Sequence, residues 1–195
     1  QLFFEKTGIR PYIGGLKKAL SDFKPPNEAI VAVSVEELYF CAKLLIENGC
    51  RRILLEKPGA LSIEELLDLK QLSDIYKVNI FIGYNRRFYK SVRKLTSLLE
   101  EEGPILSLNF EFTEFSHLIK DDLYTSLTTK RKWILANSSH VIDLAFFLIG
   151  FPKENHWSHF ISGNLNWHPS GARFYGAGFS VQNIPFSYQA DWEAP

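Results

Sequence analysis

Methionine is missing altogether from these 195 residues, where average usage would supply about four. The chain also opens on Gln1, and both features are expected of an internal piece of a longer protein. Cysteine is scarce: Cys41 and Cys50 are too few for a disulfide scaffold or a zinc framework. No sign of charge prevails, because 22 Lys+Arg cancel 22 Asp+Glu. A neutral chain has no global field to draw it to nucleic acid or an anionic membrane, so neither is expected as a partner. The longest charge-free apolar run, Leu144 to Pro152, falls far short of the roughly 20 residues that span a bilayer. With no secretory leader pattern visible, a cytoplasmic location is the expectation.

What is present is an alternation of short apolar runs and helical stripes. Leu16 to Leu20 is a short helical pattern that Pro25-Pro26 must stop. Ala29-Ile30-Val31-Ala32-Val33 is unbroken and largely β-branched, as in a parallel strand buried on both faces. Glu36 to Asn48 repeats its apolar residues at helical spacing, and Gly49 stands where a helix end wants a left-handed residue. Ile53-Leu54-Leu55 reads as a second buried strand. Ser62-x-x-Glu65 is a capping box opening a helix with Ile63, Leu66, Leu69 and Leu72 on its stripe. Val78 to Ile82 is a third strand, closed by Gly83. Strand, helix, strand, helix, strand with short connections predicts βαβ units and a parallel sheet. Ligands of such sheets bind beyond the carboxyl ends of the strands, which singles out the loops Ser34–Glu37, Glu56–Gly59 and Gly83–Arg87.

Beyond about residue 103 the pattern changes. Leu106, Leu108, Phe110 and Phe112 alternate with polar residues, as in an antiparallel strand with one buried face. The polar stretch 116–132 reads as a loop. His140 to Ile149 is apolar nearly all round and predicts a buried helix ended by Gly150 and Pro152, with Ser138 or Ser139 as its cap. Segments 172–181 and 186–192 read as further antiparallel strands. The predicted class is α/β over 1–103, followed by an α+β region over 104–195 with an open, mainly antiparallel sheet that the C-terminus leaves incomplete.

Three clusters could carry chemistry. Lys57 follows a buried strand, and taken alone it is an ordinary snorkelling surface lysine. Glu56 before it and Pro58 after it constrain its direction, and partial burial makes a lysine a usable proton donor near neutral pH. His140 reads alone as a core histidine, but Asp143 lies one helical turn on, placed to orient its ring. In Tyr84-Asn85-Arg86-Arg87-Phe88 the arginines and asparagine suit phosphate or sugar hydroxyls, or merely a solvated turn. Histidines 117, 156, 159 and 168 form no convincing metal set, and no metal is expected.

Glu56-Lys57-Pro58, then Gly83-Tyr84-Asn85-Arg86-Arg87-Phe88, then Ser139-His140-Val141-Ile142-Asp143 with Leu148-Ile149-Gly150 occur in order. In this the chain resembles the Gfo/Idh/MocA family of NAD(P)-dependent oxidoreductases over about residues 29–150. The closing Trp192-Glu193-Ala194-Pro195 is similar to part of that family's second-domain sheet. The resemblance implies a partial Rossmann domain, NAD or NADP as cofactor, and a sugar, inositol or nucleotide-linked sugar as substrate. It implies Lys57 and His140 as catalytic residues. It places Ser34, Glu37, Glu56, Lys57 and Asn85 on the cofactor side. Candidates toward the substrate are Lys57, Arg86, Arg131, Trp133, Asn137, His140 and Asp143, with Trp167 beside them, and a homo-oligomer is implied through the second sheet. Two departures accompany it. The glycine-rich turn that cradles a dinucleotide diphosphate would lie before Gln1, and Ala136 stands where the fullest motif has an aspartate four residues before the histidine. The second departure leaves room for a non-catalytic sugar or dinucleotide sensor of the same fold.

Overall fold

The computed structural model describes residues 2–193; Gln1 and the Ala194-Pro195 pair singled out above lie outside the described residues. The chain divides into two compact units between Gly83 and Tyr84.

In the first unit, helices α1 (Leu2–Thr7) and α2 (Gly15–Asp22) precede strand β1 (Glu28–Val31). Next come α3 (Leu38–Glu47), β2 (Arg52–Leu55), α4 (Ile63–Tyr76) and β3 (Asn79–Ile82). The strands form a parallel sheet in the order β1-β2-β3, with Val31, Leu55 and Ile82 level at its carboxyl edge. The βαβ reading holds, and so do its punctuation marks. Gly49 adopts φ 94° behind α3, a conformation that strains any residue with a Cβ. Ser62 Oγ accepts from Glu65 N at 3.2 Å, while Glu65 reaches back to Leu61 N at 3.1 Å. Tyr39 and Lys43 of α3 both hydrogen-bond Asp68 of α4, at 2.8 and 3.0 Å.

The core of this unit is Val31, Leu38, Ile46, Ile53, Leu55 and Leu69 with their neighbours. It lies on one face of the sheet only. Ile30, Leu54 and Phe81 point the other way and are 77%, 44% and 55% exposed. Strands buried on both faces were expected, and among the described residues that expectation fails. The apolar runs are real, but the helices α2, α3 and α4 all pack on the Ile53–Leu55 side.

The second unit opens with a 3-10 turn at Asn85–Phe88 and α5 (Lys90–Glu102), both of which the sequence pattern groups with the first half. It continues through β4 (Leu108–Glu111), α6 (Ser116–Asp121), α7 (Leu127–Arg131), a π-helical turn at Ile134–Ser138, and α8 (Ser139–Ile149). Strands β5 (Pro152–Ser162), β6 (Arg173–Ser180) and β7 (Pro185–Asp191) complete it. The four strands order as β4-β7-β6-β5. Two pairings are antiparallel, but β4 runs parallel to β7, against the antiparallel role expected of it. The stretch 116–132 expected as loop holds α6 and α7. Ser126 Oγ caps α7 by accepting from Thr129 N at 3.1 Å, and buried Lys130 Nζ donates to the Lys120 and Asp122 carbonyls.

An aromatic core of Phe112, Trp167, Phe174 and Trp192 fills this unit, with Ile134, Val141 and Ile142 packed against it. Trp167 and Trp192 stack at 5.5 Å, and a Cβ at Gly176 would come within 2.4 Å of the Tyr188 ring that lies over it. His168 is only 2% exposed in this cluster, with Nδ1 2.7 Å from the Gly171 carbonyl oxygen. Burial pulls its imidazole below the usual 6.5, partly offset by that hydrogen bond. A depressed histidine leaves the unfolded chain holding more protons, so its contribution to stability is complete above pH 6.5 and declines as pH falls below it. Thermal unfolding of the protein should therefore drop in midpoint on acidification through that window, and His168→Gln should flatten the decline; parallel profiles for the two proteins would refute it.

Candidate functional site

Because β1, β2 and β3 end in register, the loops that follow them leave one edge of the sheet. At this edge Glu56 N donates to Val31 O at 2.9 Å, and Gly83 N to Leu55 O at 2.8 Å, carrying the ladder one residue past the strands. The Glu56 carboxylate folds back to accept from Lys57 N at 2.7 Å. It lies against Gly83, where a Cβ would come within 3.2 Å of Glu56 Oε2. Lys57 is half-buried and its bond to the buried Pro58 is cis.

Ser34 and Glu37 are exposed in the loop after β1, where Glu37 N donates to Ser34 O at 3.0 Å. The groups offered at this edge, a hydroxyl, carboxylates and an amine, suit the hydroxyls of a ribose or sugar. A diphosphate is served less well. The turn leading into α3 carries Glu36 and Glu37, and their charge opposes an anion at that helix start. The start of α4 is already closed by Ser62.

In the second unit, α8 carries His140 and Asp143. The Asp143 carboxylate, whose side chain is 10% exposed, receives both Nε (2.8 Å) and Nη2 of Arg87. This bidentate pair is a strong claim on the carboxylate and makes Asp143 an anchor on the 85–88 turn. The same guanidinium lies 5.0 Å from the Phe147 ring centre and 5.9 Å from that of Tyr84. Tyr84 meets the His140 ring edge to face at 6.0 Å. Burial raises its phenol above the ordinary tyrosine range, and a hydrogen bond with Ser139 opposes the rise.

The serines expected to cap α8 do other work. The π-helical turn runs straight into α8, so no cap is needed; Ser138 Oγ donates to Glu114 at 2.8 Å and Ser139 Oγ to Leu135 O at 2.7 Å. Asn137 Nδ2 also meets Glu114, at 2.9 and 3.2 Å from its two oxygens. Of the remaining candidates, Asn85 and Arg131 are exposed, and Arg86 is half-buried in the 3-10 turn. Trp133 meets Trp167 edge to face at 6.2 Å, which makes both part of the aromatic packing. His156 and His159 are exposed on β5, and among the described residues no group of three His, Cys, Asp or Glu could hold a metal ion. Glu114 escaped the sequence reading, and so did the pairing of Arg87 with Asp143. Arg87 stood next to Arg86 in a motif already singled out, whereas nothing local marks Glu114.

No family model matches the chain. Its sequence is 31% identical over 106 residues to a glucose-6-phosphate 3-dehydrogenase of Bacillus subtilis (strain 168), covering 50% of this chain and 30% of that protein. Among solved structures, a dehydrogenase from Chromobacterium violaceum matches with a TM-score of 0.74 at 18% identity, over 100% of this chain and 55% of that one. The WlbA dehydrogenase of the same organism, solved with NADH and UDP-GlcNAcA, matches with a TM-score of 0.73 at 16% identity, over 97% and 55%. The chain thus spans about half the length of these structures and less than a third of the curated relative. The chain shares the fold of these dehydrogenase structures.

Breaking the Arg87–Asp143 pair strands a largely buried carboxylate. Arg87→Met should destabilise the second unit by about 2–3 kcal/mol, less than full burial would cost because the guanidinium is partly solvated. Denaturant midpoints read this directly, and a change under about 0.5 kcal/mol would show the pair to be ornamental.

Proposed function

We propose that the protein is an NAD(P)-dependent oxidoreductase acting on a hydroxyl or keto carbon of a sugar or nucleotide-linked sugar. The observation that carries this reading is the level carboxyl edge of β1, β2 and β3, where Glu56-Lys57-Pro58 and Gly83 sit side by side. The names of the relatives support it: one acts on glucose 6-phosphate and another was solved with NADH and a UDP-sugar acid.

In this reading Ser34, Glu37 and Glu56 of the first unit serve the ribose and nicotinamide end of the cofactor, and Asn85 is the second unit's candidate for the same ligand. The cofactor supplies or accepts the hydride. In the first unit Lys57 is the candidate to hold the proton of the reacting hydroxyl, releasing it in one direction and returning it in the other, and in the second unit His140 is the candidate for such a role. Arg86, Arg131 and Asn137 are the second unit's candidates toward the substrate, with Trp133 backing them from the aromatic packing, while Asp143 serves it indirectly by fixing Arg87. Catalysis by this chain is then orientation plus proton transfer.

The full-length protein should form NADH or NADPH from glucose 6-phosphate or a UDP-hexosamine. Lys57→Ala should lower kcat by about 10²–10⁴-fold, the usual worth of a general acid–base group, with cofactor affinity little changed. Unchanged turnover in Lys57→Ala would remove the lysine from the chemistry. A second reading, a sensor of the same fold, is favoured by Ala136, buried where the fullest motif has a carboxylate. Tight sugar or dinucleotide binding without turnover would select it.

The open sheet face of the second unit exposes Phe160, Tyr175 and Phe179 at 69%, 42% and 47%. Phe160 and Tyr175 sit directly opposite each other across β5 and β6. This supports a homo-oligomer formed through the sheet, and a monomer by light scattering of the full-length protein would exclude it.

A further inference from the structure

Glu114 follows β4 at a position with no motif around it, yet it gathers three hydrogen bonds from the turn just before His140. Asn137 Nδ2 donates to both of its oxygens, at 2.9 and 3.2 Å, and Ser138 Oγ donates at 2.8 Å. An ionised carboxylate only accepts. Turning the Asn137 amide over would set its oxygen against that carboxylate, so the network dictates the orientation: nitrogen toward Glu114, oxygen on the opposite branch. Asn137 is half-buried, and holding one orientation in advance spares a ligand the entropy of selecting it.

We infer that Glu114 is a positioning residue that turns Asn137 into a fixed hydrogen-bond acceptor. This rests on the proposed reading of Asn137 as a substrate residue. The ligand group it fits is a donor, such as a sugar hydroxyl, and not a carbonyl or phosphate oxygen. An anionic part of the substrate is disfavoured here by the same carboxylate, which assigns this turn to the neutral, polyhydroxylated part of the molecule.

Two measurements on the full-length protein test it. By NMR, the Asn137 side-chain amide pair, identified by its loss in Asn137→Ala, should be displaced from the free-amide position and return there in Glu114→Ala. Glu114→Gln, whose own amide oxygen can still accept from Nδ2, should keep most of the displacement. An amide pair that Glu114→Ala leaves unmoved overturns the inference, whether or not any sugar is turned over. With glucose 6-phosphate as the probe, Glu114→Ala and Asn137→Ala should each raise KM about tenfold, the scale of one well-placed hydrogen bond. The kcat should change little, the double variant should add nothing further, and Glu114→Gln should restore a near-normal KM. Additive losses, or a loss in kcat alone, would overturn it. A displaced amide pair in a protein that turns over no sugar would instead count against the proposed function and leave the orientation of Asn137 standing.

Discussion

Main-chain hydrogen bonding between three short parallel strands sets the position of everything in the first unit that could act on a ligand. Each strand contributes only four residues, and their register brings Val31, Leu55 and Ile82 to the same level. Shifting one strand by a residue would turn its apolar set to the other face, away from α3 and α4, and would carry Lys57 off the edge it shares with Ser34 and Gly83. The lysine's place is thus set by the burial of Ile53 and Leu55 just before it.

In the second unit the comparable constraint is carried by carboxylates. Asp143 holds the 85–88 turn through Arg87, and Glu114 holds the turn before α8 through Asn137 and Ser138. Both acids are at least partly buried, where an unsatisfied charge is costly, so each fixes whatever donor it takes. Joining the turn to α8 in this way also explains why residues 84–102 go with the second unit, although their texture resembles the first.

Much of the architecture could be read from residue order alone. Periodicity found α3, α4, α8 and the strands, and Gly49 and Ser62 marked helix ends as local chemistry requires. What escaped was non-local. An apolar run such as Ala29–Val33 reports that a strand can be covered on both sides, not that it is; Ile30 faces outward because no described element packs there. The parallel pairing of β4 with β7 joins residues nearly eighty positions apart, and no window along the sequence contains both. Lys57 and His140 stood out as candidates because motifs surround them. Glu114 was invisible because its partners lie more than twenty residues downstream, and the pairing of Asp143 with Arg87 spans a still longer stretch of chain.

The π-helical turn at Ile134–Ser138 has a consequence for how this chain can vary. Such a turn is an α-helix carrying one surplus residue, and each helical residue advances the phase by about 100°. Removing a single residue there would relax it into an ordinary helix without breaking the chain's path. It would also rotate Asn137 and Ser138 relative to α8 by roughly a quarter of a turn, away from Glu114. Length, more than chemistry, is the quantity this stretch must conserve. A substitution within it disturbs one contact, whereas an insertion or deletion re-aims them all.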